Sequence, residues 1–116
     1  MQRVEKRIMG RTGVKVTALG FGAWPIGGAK YGAVSESEAA ETIETYLAAG
    51  GNHIDTARGY GNSELYLGKV LSRGWREKVF LATKTHGGRS QETLPQIRKD
   101  LEESLRLLQT DYLDLY

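Results

Sequence analysis

The segment His53-Ile-Asp-Thr-Ala-Arg-Gly-Tyr-Gly-Asn-Ser-Glu64 sets an acid, Asp55, at the end of a short apolar run and a phenol, Tyr60, among glycines just beyond it. A lysine, Lys84, closes the apolar run Lys78-Val-Phe-Leu-Ala-Thr-Lys84. Brought together, these side chains make a proton donor. A free phenol titrates near ~10, and a cation within about 4–6 Å stabilises its phenolate by roughly one to three units, or ~1.4–4 kcal/mol. Lys84 would supply that cation, and Asp55 would hold it charged and oriented by ion pairing against the cost of leaving water. Carbonyl reduction needs such an acid, because hydride arriving at the carbonyl carbon leaves alkoxide character on the oxygen. Trp24, in a glycine-rich stretch, would add an apolar wall.

Each residue alone has a plainer reading. Asp55 could bind the amides of its turn, Tyr60 could be a half-buried aromatic with its hydroxyl in water, and Lys84 could be a solvated strand end. The combination, not any member, selects the chemical reading. His53 precedes the strand end and is expected to be packed or exposed, not catalytic. His86, among the glycines of a polar loop, is a minor candidate for substrate contact. Arg58 and Arg89 are expected to solvate their loops.

Elements must exist to bring these groups together. Residues 6–17 alternate in polarity around Gly10 to Gly13 and predict a two-stranded hairpin. Residues 18–24 predict a brief buried strand that runs into a glycine-rich loop reaching Val34. Ser35-Glu-Ser-Glu38 is a capping-box pattern, so a helix should start there, with Ala39, Ile43 and Leu47 as its apolar stripe and Gly50-Gly51 as its stop. A short strand over Asn52 to Asp55 follows, then a helix from about Ser63 to Ser72 with Leu67, Val70 and Leu71 on one side. Residues 78–84 predict another strand, and 85–92 a polar loop. Thr93-Leu-Pro-Gln96 is a second capping-box pattern with proline in the first turn. Leu94, Ile97, Leu101, Leu105 and Leu108 recur behind it at helical spacing and predict a core face. Residues 111–116 predict a last strand.

This alternation implies parallel strands joined by right-handed crossovers, in either a doubly wound sheet or the first half of a (βα)8 barrel. Gly20-Phe-Gly22-Ala-Trp-Pro25 begins like a dinucleotide fingerprint but puts Pro25 at the third glycine, with no helix expected to start there. No acid ends a second strand at the distance that fingerprint requires either. The barrel is therefore preferred: an α/β fold, the N-terminal half of a (β/α)8 TIM barrel, with the hairpin capping the barrel bottom. A whole barrel needs ~250 residues, so residues 1–116 are expected to form one partial domain ending after the fourth barrel strand. In a barrel the C-terminal strand ends share one mouth, which is where Trp24, Asp55, Tyr60 and Lys84 would meet.

Composition excludes several partners. The chain has 116 residues, 40% hydrophobic and 26% charged, with 16 Lys and Arg spread among 14 acids. No basic block could track a phosphate backbone, so nucleic acid is not expected. There is no cysteine, which excludes disulfides and thiolate metal sites, and no metal is expected. The charged start lacks the apolar core of a secretion signal, and no apolar run nears the ~20 residues of a membrane span. A cytoplasmic protein without membrane partners is the expectation. The open edges of a half-barrel sheet would favour self-association.

The sequence also carries a resemblance. Residues 52–64 resemble the aldo-keto reductase signature, with its aspartate, its tyrosine and the following glycine and glutamate in place. Phe80-Leu-Ala-Thr-Lys84 resembles the strand that delivers that family's lysine, residues 10–24 its opening hairpin and first barrel strand, and residues 101–116 its third helix and fourth strand. The resemblance implies an NADPH-preferring (β/α)8 oxidoreductase, with NADH the alternative cofactor, that reduces aldehydes and ketones. It implies that Asp55, Tyr60 and Lys84 are three members of a catalytic tetrad, and that Gly22, Ala23, Trp24, Asp55 and Tyr60 lie on the nicotinamide side of the cofactor. Ala23 lacks the hydroxyl that a threonine gives in many relatives. The family's tetrad histidine would fall about three positions past Tyr116, and neither His53 nor His86 matches it. An isolated chain of this kind is expected to be inactive alone. A non-catalytic scaffold or regulatory subunit with the same fold is the alternative, and an inactive gene fragment a third.

Overall fold

Gly10 and Gly13 take positive φ angles of 49° and 74°, a region closed to most side chains. They let the chain reverse between β1 (Lys6–Ile8) and β2 (Lys15–Thr17), which pair antiparallel with Arg7 opposite Val16. This is the expected hairpin. The computed structural model that shows it describes residues 4–28, 31–86 and 93–116. Arg89 and most of the polar loop expected over 85–92 lie outside the described residues.

Asn52 ties the hairpin to the rest of the chain. Its side chain accepts from the Thr17 amide at 2.7 Å and donates to the Lys15 carbonyl at 2.9 Å. Asn52 immediately precedes the strand His53–Asp55, so the hairpin docks at the N-terminal end of that strand. The Tyr46 hydroxyl reinforces the junction, lying 2.9 Å from the Thr17 hydroxyl and accepting from the His53 amide at 3.1 Å.

β3 (Phe21–Gly22), β4 (His53–Asp55) and β5 (Phe80–Ala82) form a parallel sheet in that order, with Gly22, Asp55 and Ala82 in one row. The crossovers carry α1 (Glu36–Ala48) and α2 (Ser63–Leu71), and α3 (Leu94–Leu108) follows β5. Both expected capping boxes form: Ser35 with Glu38, and Thr93 with Gln96. The glycine-rich loop after β3 departs from expectation by holding one 3-10 turn, Pro25–Gly27, where the fixed φ of proline suits a first helical position.

The core lies between the sheet and the helices. Ile54 and Leu81 are fully buried there with Ile43, Leu67 and Leu71, each worth roughly 1.5–3 kcal/mol of burial. The apolar stripes of α1 and α2 are as expected. The row on α3 is not: Leu108 is buried, Ile97, Leu101 and Leu105 are half-buried, and Leu94 is 71% exposed. Small residues explain the difference. A Cβ at Gly68 of α2 would lie 2.1 Å from the Leu107 carbonyl oxygen, so the two helices touch backbone to backbone at Gly68, and Ser104 fills the buried face beside Leu108. The leucines flank that seam. α3 has 15 residues and α2 has 9, so at about 1.5 Å per residue its first turns overrun their neighbour.

The strand expected over 111–116 is reduced to a single parallel bridge between Ala82 and Leu115. A side chain takes one place in the ladder. The Asp114 carboxylate accepts from the Leu81 amide at 2.9 Å, and the Asp114 and Leu115 amides both donate to the Leu81 carbonyl. Arg76, buried to 9% exposure, fixes the segment by donating to Asp114 at 3.0 Å and to the Tyr112 carbonyl at 2.9 Å. No helix among the described residues is long and apolar enough to cross a membrane.

Candidate active site at the strand ends

The parallel register sets the site. Asp55 is the last residue of β4, and beyond it the chain stays laced to β5: the Thr56 amide donates to Ala82 at 2.9 Å and the Arg58 amide to Lys84 at 3.0 Å. Asp55 and Lys84 therefore emerge side by side. The Lys84 ammonium donates to both Asp55 oxygens, at 3.2 and 3.0 Å, and to the Thr56 carbonyl at 2.8 Å. It also lies over the Tyr60 ring, 5.0 Å from the centroid. An ammonium has three protons, and these three acceptors use them. Its contact with Tyr60 is thus electrostatic, cation to ring face.

The Asp55 and Lys84 side chains are 53% and 47% exposed. The sequence implied a desolvated lysine; the structure leaves the pair half in water, because nothing among the described residues covers this end of the sheet. A pair so exposed contributes about 0–1 kcal/mol to stability. Its effect is orientation.

Tyr60 reaches the cluster through a contact between loops. A Cβ at Gly27 would come 1.9 Å from the Tyr60 carbonyl oxygen, and one at Gly61 would come 2.4 Å from the Gly27 carbonyl oxygen. Only glycines allow the two loops to meet so closely. The Asn62 amide closes the junction by donating to the Gly27 carbonyl at 3.0 Å. The Tyr60 ring consequently stacks on Trp24, with centroids 5.9 Å apart and planes 24° from parallel, while Tyr31 meets Trp24 edge-on at 5.2 Å. Trp24, Tyr60, Lys84, Ala57, Gly59, Thr85 and His86 wall a cleft of about 370 Å³. Asp100 of α3 holds one side of it, accepting from the Thr85 hydroxyl at 2.6 Å and the His86 amide at 2.8 Å.

The expected residues divide accordingly. Asp55, Tyr60, Lys84 and Trp24 converge, and His86 joins them at the cleft wall. Gly22 is exposed in the row of Asp55, and a Cβ there would meet nothing within 4 Å. Ala23 is fully buried in the core; its amide donates to the Asp55 carbonyl at 2.9 Å, which fixes the loop. His53 packs edge-on against Phe80 at 5.7 Å, away from the cleft. Arg58 does not simply solvate its loop: it pairs with the buried Glu64 carboxylate. Among the described residues no set of three or more His, Asp or Glu converges as metal ligands.

Thr83, Gly27 and Asp100 support the site without having been singled out by the sequence, and Gly61 and Glu64 were marked only as members of the resembling signature, with no role given. For Glu64 a signal existed, since it lies three residues before Leu67 and seven before Leu71, on the buried face of α2. Gly27 gave none, and the signature that includes Gly61 does not say what it meets, because close approach of two distant loops leaves no local pattern.

Parallel βα units that deliver an acid, a lysine and a phenol to the carboxyl ends of neighbouring strands define an α/β protein with these groups gathered at one end of the sheet. The Aldo/keto reductase family model matches residues 18–116. L-galactose dehydrogenase of Arabidopsis thaliana is 40% identical over 123 residues, covering 99% of this chain and 38% of that protein. A thermostable aldo-keto reductase solved with the inhibitor epalrestat superposes with a TM-score of 0.85 at 35% identity, over 97% of this chain and 42% of its own. An aldo/keto reductase of Klebsiella pneumoniae, solved with NADP and acetate, gives 0.71 at 31% identity, over 90% of this chain and 35% of its own. The chain belongs to the aldo/keto reductase family, whose members are oxidoreductases. It spans little more than a third of the length of the first two curated relatives, 34% and 38%.

Proposed function

We propose that residues 1–116 supply the N-terminal half of a (β/α)8 barrel and the proton-donating part of a site that reduces an aldehyde or ketone to an alcohol. The observation that carries this reading is the Lys84 ammonium, held by Asp55 at 3.0 Å and set over the Tyr60 ring at 5.0 Å. The Tyr60 hydroxyl donates its proton to the carbonyl oxygen as charge develops there, and the neighbouring ammonium favours the phenolate that remains. Asp55 keeps Lys84 charged and aimed, and Trp24 holds the phenol ring in plane.

NADPH, or alternatively NADH, supplies the hydride when bound. The residues leave room for a flat ring of this kind: Gly22 and the half-exposed Asp55 border open space at the strand ends, and the Trp24–Tyr60 stack walls the cleft there. Ala23 contributes through its backbone alone, anchoring the Gly22–Trp24 loop to β4. The substrate would be a small carbonyl compound, the compartment cytoplasmic, and the isolated chain inactive.

The test is a graft. Residues 1–116 replace the matching segment of the Arabidopsis relative, and the folded chimera is assayed for NADPH-dependent reduction of simple aldehydes. Turnover supports the reading. A chimera that folds, binds NADPH and turns over nothing contradicts it.

A further inference from the structure

Glu64 is the one carboxylate buried to 1% exposure among the described residues, and the proton-donor account leaves it unused. An ionised carboxylate away from water requires partners, and the two it has come from different segments. One oxygen pairs with the Arg58 guanidinium, from the loop between Asp55 and Tyr60. The other accepts from the Thr83 hydroxyl at 2.8 Å, next to Lys84. Glu64 itself stands in the first turn of α2, where a negative charge is also favoured by the helix dipole. Beside it the buried Thr56 and Ser63 hydroxyls lie 2.8 Å apart, joining the start of the same loop to the start of the same helix.

If Glu64 served only α2, it would need no partner from the end of β5. Its two bonds instead reach the segments that carry Tyr60 and Lys84. The backbone bonds between these segments fix their register, yet leave the height of the loop above the strand end open. A bridge through Glu64 fixes it. We infer that Glu64 is a positioning residue: its buried carboxylate clamps the Arg58 loop to Thr83, so that Lys84 is presented to Asp55 and the Tyr60 ring together. The inference rests on the proposed role of Tyr60, but its test does not require turnover.

The test is proton NMR of the 116-residue chain. A lysine over an aromatic face carries ring-current-shifted ε-methylene protons with cross-peaks to the ring, so wild type should show both for Lys84 and Tyr60. Glu64→Gln and Thr83→Val should lose the shift and the cross-peaks while the amide signals of α1 stay in place. Ile43→Val, a remote core change, should lower stability and leave the Lys84 signals unmoved, which separates positioning from general destabilisation. Should Glu64→Gln fail to fold, Thr83→Val decides, since it removes one hydroxyl from one bond. Persistence of the Lys84 signature in the folded variants overturns the inference alone. Its absence from wild type overturns the proton-donor reading and this inference with it.

Discussion

Gly27 and Tyr60 meet backbone to backbone, so closely that a single methyl group on residue 27 would overlap the Tyr60 carbonyl oxygen at 1.9 Å. This contact, between residues far apart in sequence, puts the phenol beside Trp24 and within reach of Lys84.

Gly27→Ala should therefore part the two loops. Overpacking of a tight contact costs typically ~1–3 kcal/mol, and the Trp24–Tyr60 stack should open. Urea unfolding measures the first and near-ultraviolet circular dichroism the second. A variant as stable as wild type, with an unchanged aromatic signal, would mean that the loops are not held by this approach.

Asn52→Ala should release the hairpin from the sheet. Two hydrogen bonds to β2 disappear and leave the Thr17 amide unpaired where its side chain is buried, at a cost of about 1–3 kcal/mol. Hydrogen exchange should quicken at Val16 and Thr17 more than in α1 or α2. Equal acceleration everywhere would count against a local anchor.

Asp114→Ala should free the last described segment. It removes the carboxylate that replaces a strand partner at the buried Leu81 and takes one partner from Arg76, which keeps the Val79 and Tyr112 carbonyls, and leaving the Leu81 amide unpaired costs about 1–3 kcal/mol. Amide exchange at residues 113–115 reports it. Unchanged protection there would show that the backbone bridge suffices.

Beside the sheet, Leu19 is 62% and Leu115 55% exposed. Apolar side chains near unpaired strand edges invite association. Sedimentation velocity should show oligomers growing with concentration, and Leu115→Lys should reduce them. A monomer at every concentration would dismiss the idea.

How much of this is written locally in the chain varies from residue to residue. The capping boxes at Ser35 and Thr93 and the stripe Ala39, Ile43 and Leu47 depend on neighbours within one or two turns, and they are legible. So is the convergence of Asp55, Tyr60 and Lys84, because strand ends in βα units point one way. The leucine row of α3 misleads: its spacing predicts an apolar face, but Gly68 and Ser104 decide where the helices touch. The last strand is shorter than its residues suggest, since nothing local reveals that the Asp114 carboxylate, held by Arg76, takes the Leu81 amide. Spacing puts Glu64 on the buried face of α2, but its partners Arg58 and Thr83, like the Gly27–Gly61 junction, depend on contacts across the fold, which periodicity does not encode.

The central claim is that Tyr60 is the proton source, and the most direct measurement is the steady-state rate of the grafted enzyme with Tyr60→Phe, set against the unsubstituted graft. Loss of a general acid typically costs 10²–10⁴-fold, so kcat should fall by about that factor while thermal stability and NADPH affinity stay near those of the unsubstituted graft. A substituted enzyme that reduces aldehydes at an undiminished rate would contradict the claim.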